Sequence, residues 1–242
     1  MEGSSGMHFA RALYRAGMLS RRQLAKDAYS NVRFRLEGST DAATDAVRKR
    51  VAEDLAGVPV KRLLRLRPEV LTGILPRVYP DMLEVAYAHQ DADRPAYIVT
   101  AASQDLAELL AVVLTFDGGI GARYEVKDGV YTGRPGGPFT YREGKVVAML
   151  EVAEREGIDL AESYAYSDSE SDLPMLRAVG HPVAVNPDSK LLAVARQEGW
   201  EVMRFDKLGR RLKIAGYGAA IGVTGFAASQ AWERFGPGSR RR

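Results

Sequence analysis

A chain of 242 residues with 46% hydrophobic content can bury a full core, and a formal charge of +3 is too small for a general nucleic-acid binder. It has no cysteine and three histidines, which excludes disulfides, thiolate catalysis, Cys-ligated zinc and a His-rich metal site, and agrees with a reducing cytoplasm. Polar and basic residues recur from Arg11 onward, so no export leader is expected.

Residues 1–75 read as an α-helical lobe. Helical patterns run over 9–16, 20–35, 40–56 and 60–75, punctuated by Ser20, by Gly38-Ser39-Thr40 and by Gly57-Val58-Pro59. From Tyr79 the texture changes. A helix is expected over 80–89, a strand over 96–100 and a helix over 103–114 with Ser103 as N-cap. Strands over 120–126 and 130–134 flank Lys127-Asp128-Gly129, a hairpin signal. A helix over 144–156, the strand at Tyr164 and a helix over 173–179 follow, then a strand over 182–185, a helix over 188–198 and a strand over 201–205. This alternation predicts an α/β fold for residues 76–208, a Rossmann-like three-layer core on a parallel sheet. Residues 209–242 form an apolar and basic tail.

Three places at strand ends carry candidate chemistry. Asp168 and Asp172, in the run SYAYSDSESD, put two hard oxygen ligands just past a short apolar strand, which suits Mg²⁺ beside a phosphate. Thr100 closes the AYIVT strand, and its hydroxyl with the N–H groups of Ala101, Ala102 and Ser103 at a helix start would cradle phosphate oxygens. Lys145, after Gly144, adds a compact positive charge for a transferring phosphoryl group. Singly, each has a plainer explanation: carboxylates answering a helix dipole, a surface lysine, a strand-end threonine. His8 and His181 read as packing or loop residues, and Asp27, Asp41 and Asp45 as solvated or capping positions.

The order AYIVTAAS, then EGK, then YSDSESDLPMLRAVGHPVAVNPD resembles the second, third and fourth motifs of the haloacid dehalogenase-like hydrolases, closest to the phosphoserine-phosphatase-like subfamily. The resemblance covers most of the chain, with the helical lobe similar to the family's cap. It implies hydrolysis of the phosphomonoester of a small phosphorylated metabolite. An Asp on the first strand attacks phosphorus to form an aspartyl-phosphate, a second Asp two residues later protonates the leaving oxygen, and Mg²⁺ is held partly by Asp168.

The family's first motif, an apolar strand ending in Asp-x-Asp-x-Thr, has no match here, since only Met1-Glu2-Gly3-Ser4-Ser5-Gly6 precedes the helical lobe. The first core strand is therefore expected to be missing and the nucleophile to lie upstream of Met1, leaving this chain inactive. A non-catalytic phosphate-binding relic of the fold is the competing expectation. A third comes from Ile214–Trp232, which is uncharged between basic flanks and long enough to approach a membrane span of about 20 residues. That would make the chain a membrane-associated phosphatase of a phospholipid-type substrate. Its Gly- and Ala-rich composition argues equally for a loosely docked soluble tail.

Overall fold

A computed structural model describes residues 11–17 and 49–205. The chain divides into two units, Met1–Val202 and Met203–Arg242, and the first holds nearly all the described residues.

Short helices over 11–15 and 49–55 precede Val60–Leu64 and Arg67–Ile74. The expected single helix over 60–75 is thus broken. Pro68 is the reason: it has no N–H to give, so it sits in the first turn of a new helix, where that donor would have no intrahelical partner. Pro76 and Pro80 likewise mark the starts of a 3₁₀ turn, Leu75–Arg77, and of the Pro80–Gln90 helix. Val70 and Ile74 pack with Ala12 and Leu66 against Leu106 and Leu110 of the Gln104–Val113 helix. The N-terminal helices therefore share a core with the first crossover.

That crossover joins β1 (Tyr97–Ser103) to β2 (Gly118–Ala122), paired in parallel with Tyr97 opposite Gly118 and Val99 opposite Ile120. The helix lies directly on β2. A Cβ on Gly119 would stand 2.3 Å from the carbonyl carbon of Ala107, and one on Gly121 2.8 Å from the Gln104 nitrogen. The Gln104 side chain braces the same edge, donating to Gly119 O and accepting from Gly121 N, each at 2.7 Å. The expected strand over 120–126 is two strands. Beyond Ala122 the chain leaves the sheet, and β3 (Tyr124–Lys127) pairs antiparallel with β4 (Val130–Pro135) around Asp128-Gly129, whose φ angles of 52° and 77° make the hairpin turn.

The second sheet has the order β5 (Tyr164–Ser167), β6 (His181–Val185), β7 (Glu201–Met203), with Tyr164 opposite His181 and Ser167 opposite Ala184 in parallel register. Its connections are the Leu173–Arg177 helix, shorter than expected, and the Ser189–Gln197 helix. Among the described residues no strand joins β1 to β5. Yet Tyr97, Val99 and Ile120 of the first sheet lie in one hydrophobic cluster with Ala165, Leu176 and Ala184 of the second, and Ala148 and Met149 of the Glu143–Glu156 helix belong to the same cluster. The continuous sheet expected from the alternation is thus two half-sheets on a common core. Among the described residues β1 pairs only with β2, and β5 only with β6.

Ile214–Trp232 lies outside the described residues. Among the described residues no helix is long and apolar enough to cross a membrane.

Candidate active site

The carboxyl ends of β1 and β5 and the start of the Glu143–Glu156 helix carry all the sequence-predicted site residues. Asp172 ends a 3₁₀ turn, Glu170–Asp172, and is buried at 9% exposure. Lys145 donates from Nζ to Asp172 Oδ1 at 2.7 Å, and Ser167 donates from Oγ to Oδ2 at 2.7 Å. Both carboxylate oxygens are therefore engaged. Lys145, 7% exposed, is a buried cation balanced by a buried anion rather than a surface lysine. An ammonium has three donors, and Asp172 takes one.

Asp168 is exposed at the end of β5. Its loop is held from β6's side: Asp188 N donates to Asp168 O at 2.9 Å, while the Asp188 carboxylate accepts from Glu170 N at 2.9 Å and caps its own helix through Lys190 N and Leu191 N. Ser167 Oγ accepts from Ser169 N at 3.2 Å.

Thr100 sits differently from expectation. β1 continues to Ser103, with an irregular register between Val99 and Ser103, so Ala101 and Ala102 lie in the strand and the helix starts only at Gln104. A cradle at a helix N-terminus is not formed by these amides. Thr100 Oγ1 instead accepts from Ala102 N at 3.1 Å, which still leaves the hydroxyl proton to donate. The Thr100 carbonyl accepts from the buried Thr140 at 2.7 Å, tying β1 to the segment that leads into Lys145.

That segment is tightly wound. Gly144 N donates to Tyr141 O at 3.0 Å, closing a turn in which Arg142 has φ 49° and ψ −121°. This is the first central position of a type II′ turn, normally glycine. For a residue with a side chain it costs about 1–3 kcal/mol. A Cβ on Gly144 would lie 1.8 Å from Phe139 O, so the next residue but one must be glycine. The Arg142 guanidinium reaches Glu170 at 3.7 Å and Glu143 at 4.0 Å. Partly exposed pairs of this kind return ~0–1 kcal/mol.

Sequence reasoning passed over Ser167, Thr140, Arg142 and a cluster near the strands' amino ends. There Arg94 Nε donates to His89 Nδ1 at 2.9 Å, which fixes the tautomer, so Nε2–H donates to Tyr166 OH at 2.7 Å. Burial first and the Arg94 charge second hold the His89 pKa below its ordinary 6.5. Burial is also the main cause that raises Tyr166. His181, expected as a packing residue, stacks on Tyr164 with ring centroids 4.4 Å apart.

For Mg²⁺ the donor set fits in part. This ion binds through one or two carboxylates plus phosphate oxygens and waters. Asp168 offers one such carboxylate, whereas both Asp172 oxygens are committed to Lys145 and Ser167. No group of three or more acidic, His or Cys side chains that could hold a metal exists among the described residues.

Residues 1–177 match the profile of the haloacid dehalogenase-like hydrolases. The chain is 35% identical over 227 residues to the phosphoserine phosphatase SerB1 of Mycobacterium tuberculosis, covering 92% of this chain and 71% of that protein. A protein of unknown function from Bordetella pertussis Tohama I superposes with a TM-score of 0.71 at 29% identity, over 82% of this chain and 91% of that one. A phosphoserine phosphatase solved as a phospho-aspartyl intermediate analogue gives a TM-score of 0.57 at 19% identity, over 88% and 91%.

Proposed function

The chain belongs to the haloacid dehalogenase-like hydrolases, and from that membership we propose that it serves hydrolysis of a small phosphorylated metabolite with Thr100, Lys145 and Asp168 as site residues. The observation that carries this reading is the buried Lys145–Asp172–Ser167 network beside the exposed Asp168 at one strand end. A buried lysine fixed by a carboxylate is a preorganised cation, the device needed where negative charge gathers on phosphoryl oxygens. Thr100 donates its hydroxyl proton to one of those oxygens. Mg²⁺, held by Asp168 and by the nucleophile's carboxylate, supplies further charge neutralisation when bound.

The nucleophile belongs to a strand outside this sequence that fills the place between β1 and β5. Its carboxylate attacks phosphorus as the bond to the leaving oxygen breaks, and a second acid protonates that oxygen. Water then attacks the same phosphorus, releasing inorganic phosphate and regenerating the carboxylate. Asp172 acts through Lys145 by holding it, rather than as a metal ligand.

Phosphate release from a panel of phosphomonoesters in Mg²⁺ tests this. The chain alone is expected at background. The same chain extended at its N-terminus by an apolar strand ending in Asp-x-Asp-x-Thr is expected to turn over and to lose activity on Asp168→Asn. An extended protein that hydrolyses nothing, or one indifferent to Asp168→Asn, overturns the reading.

A further inference from the structure

We propose that Arg142 is a phosphate-binding residue of this site, a second cation beside Lys145 that meets the oxygens of the substrate's phosphoryl group. The inference rests on the phosphomonoester reading above and adds to it a group that no sequence motif singled out.

The backbone is the starting point. Arg142 occupies a left-handed position, φ 49° and ψ −121°, in a turn closed by Gly144 N donating to Tyr141 O. The turn cannot relax by shifting the next residues, because Gly144 is pressed against Phe139 O and Lys145 N donates to Arg142 O at 3.1 Å. Glycine would hold this shape without strain. The chain keeps arginine, so something about the side chain must outweigh the backbone cost.

The visible partners do not suffice. Glu170 stands 3.7 Å away and Glu143, which is 69% exposed, 4.0 Å away, both through single nitrogens. A long, single-point pair with a solvent-exposed carboxylate, as with Glu143, returns less than such strain costs, and the half-buried Glu170 pair is stretched to 3.7 Å. A planar fork of donors, however, matches phosphate oxygens better than any lysine does.

Position supplies the rest. Arg142 and Lys145 lie one helical turn apart and reach the same short segment: Lys145 pairs with Asp172, and Arg142 with Glu170, two residues beyond Asp168. The guanidinium pairs with Glu170. Phosphate takes the guanidinium over from Glu170, and the strained turn limits how far the fork can swing from that segment.

Inorganic phosphate titrated calorimetrically into the full chain, in Mg²⁺ at low salt, provides the test, with thermal melts of each variant. Arg142→Gly should bind phosphate about tenfold more weakly, the loss of one charge-assisted contact. Its melting temperature should rise, by about 2–4 °C for each kcal/mol of strain relieved. Arg142→Lys should bind at intermediate strength, and Glu170→Gln at least as tightly as the parent. Parent-like phosphate binding by Arg142→Gly overturns the proposal, as does a fall in its melting temperature, which would make Arg142 a structural residue. The same titration on the chain extended by an apolar strand ending in Asp-x-Asp-x-Thr separates the two readings: an extended parent that binds phosphate no better than its Arg142→Gly variant overturns this proposal alone, whereas an extended parent that binds no phosphate overturns the phosphomonoester reading as well.

Discussion

Replacing Lys145 by Met removes one partner of a pair that is almost wholly shielded from water, at 7% and 9% exposure. The Asp172 carboxylate then keeps only the Ser167 hydroxyl, and a buried charge without its counter-ion costs about 3–5 kcal/mol. Asp172→Leu does the reverse, stranding the ammonium and leaving the Ser167 hydroxyl without its acceptor, at similar cost. The double variant Lys145→Met/Asp172→Leu leaves no buried charge. Its loss reduces to the Ser167 hydroxyl deprived of an acceptor, roughly 1–3 kcal/mol. Urea unfolding followed by far-UV circular dichroism closes the cycle: each single variant should be less stable than the double, with a coupling energy of at least about 3 kcal/mol. Losses that simply add, leaving the double variant the least stable, would refute the claim that this pair is internally balanced and buried.

His89 makes stability depend on pH. Its folded pKa lies below the unfolded 6.5, so the unfolded chain binds more protons in that range. The contribution is complete above pH 6.5 and is lost as pH falls toward the folded value, at up to about 1.4 kcal/mol per pH unit. Melting temperatures from pH 7.5 to 5 should therefore fall less steeply in His89→Phe than in the parent; equal slopes would show that the Arg94–His89–Tyr166 chain carries no linkage. Two glycines separate steric from conformational cost. Gly119→Ala drives a methyl into the backbone at Ala107 and should lose ~1–3 kcal/mol or more, whereas Gly129→Ala has open space and meets only the penalty of its φ of +77°. Thermal melts ranking Gly129→Ala as the worse would contradict the packing of β2 on its helix.

What the sequence disclosed was mostly local. Asp128-Gly129 gave the hairpin because both residues tolerate positive φ, and Asp188 gave a helix start because its carboxylate reaches the N–H groups two and three residues on. Chemistry-bearing types at strand ends were legible for the same reason. Partnership was not: Asp172 meets Lys145 across 27 residues of chain, and spacing within SDSESD cannot say whether a carboxylate faces a metal or an ammonium. Glycine misled once. GGIGA reads as continuous with the next strand, but Gly119 and Gly121 are there to let a helix backbone approach, after which the chain turns away at Arg123. Arg142 was illegible for the opposite reason, since nothing in its type announces a position that glycine normally takes.

Among the described residues the two half-sheets share no strand, which raises the question of what keeps them in register. Hydrophobic contact is non-directional, so the common cluster around Leu176 and Ile120 can hold the halves together without fixing their relative rotation. Directional bonds do that, and they occur toward both ends of the gap. At the amino end, His89 from the helix before β1 donates to Tyr166 of β5, and Arg94 lies over the Tyr164 ring. At the carboxyl end, Thr140 holds Thr100 of β1 while Lys145, five residues on, holds Asp172 beyond β5. At this end Lys145 has two tasks: it fixes Asp172 beyond β5, and it carries the charge proposed to meet phosphate.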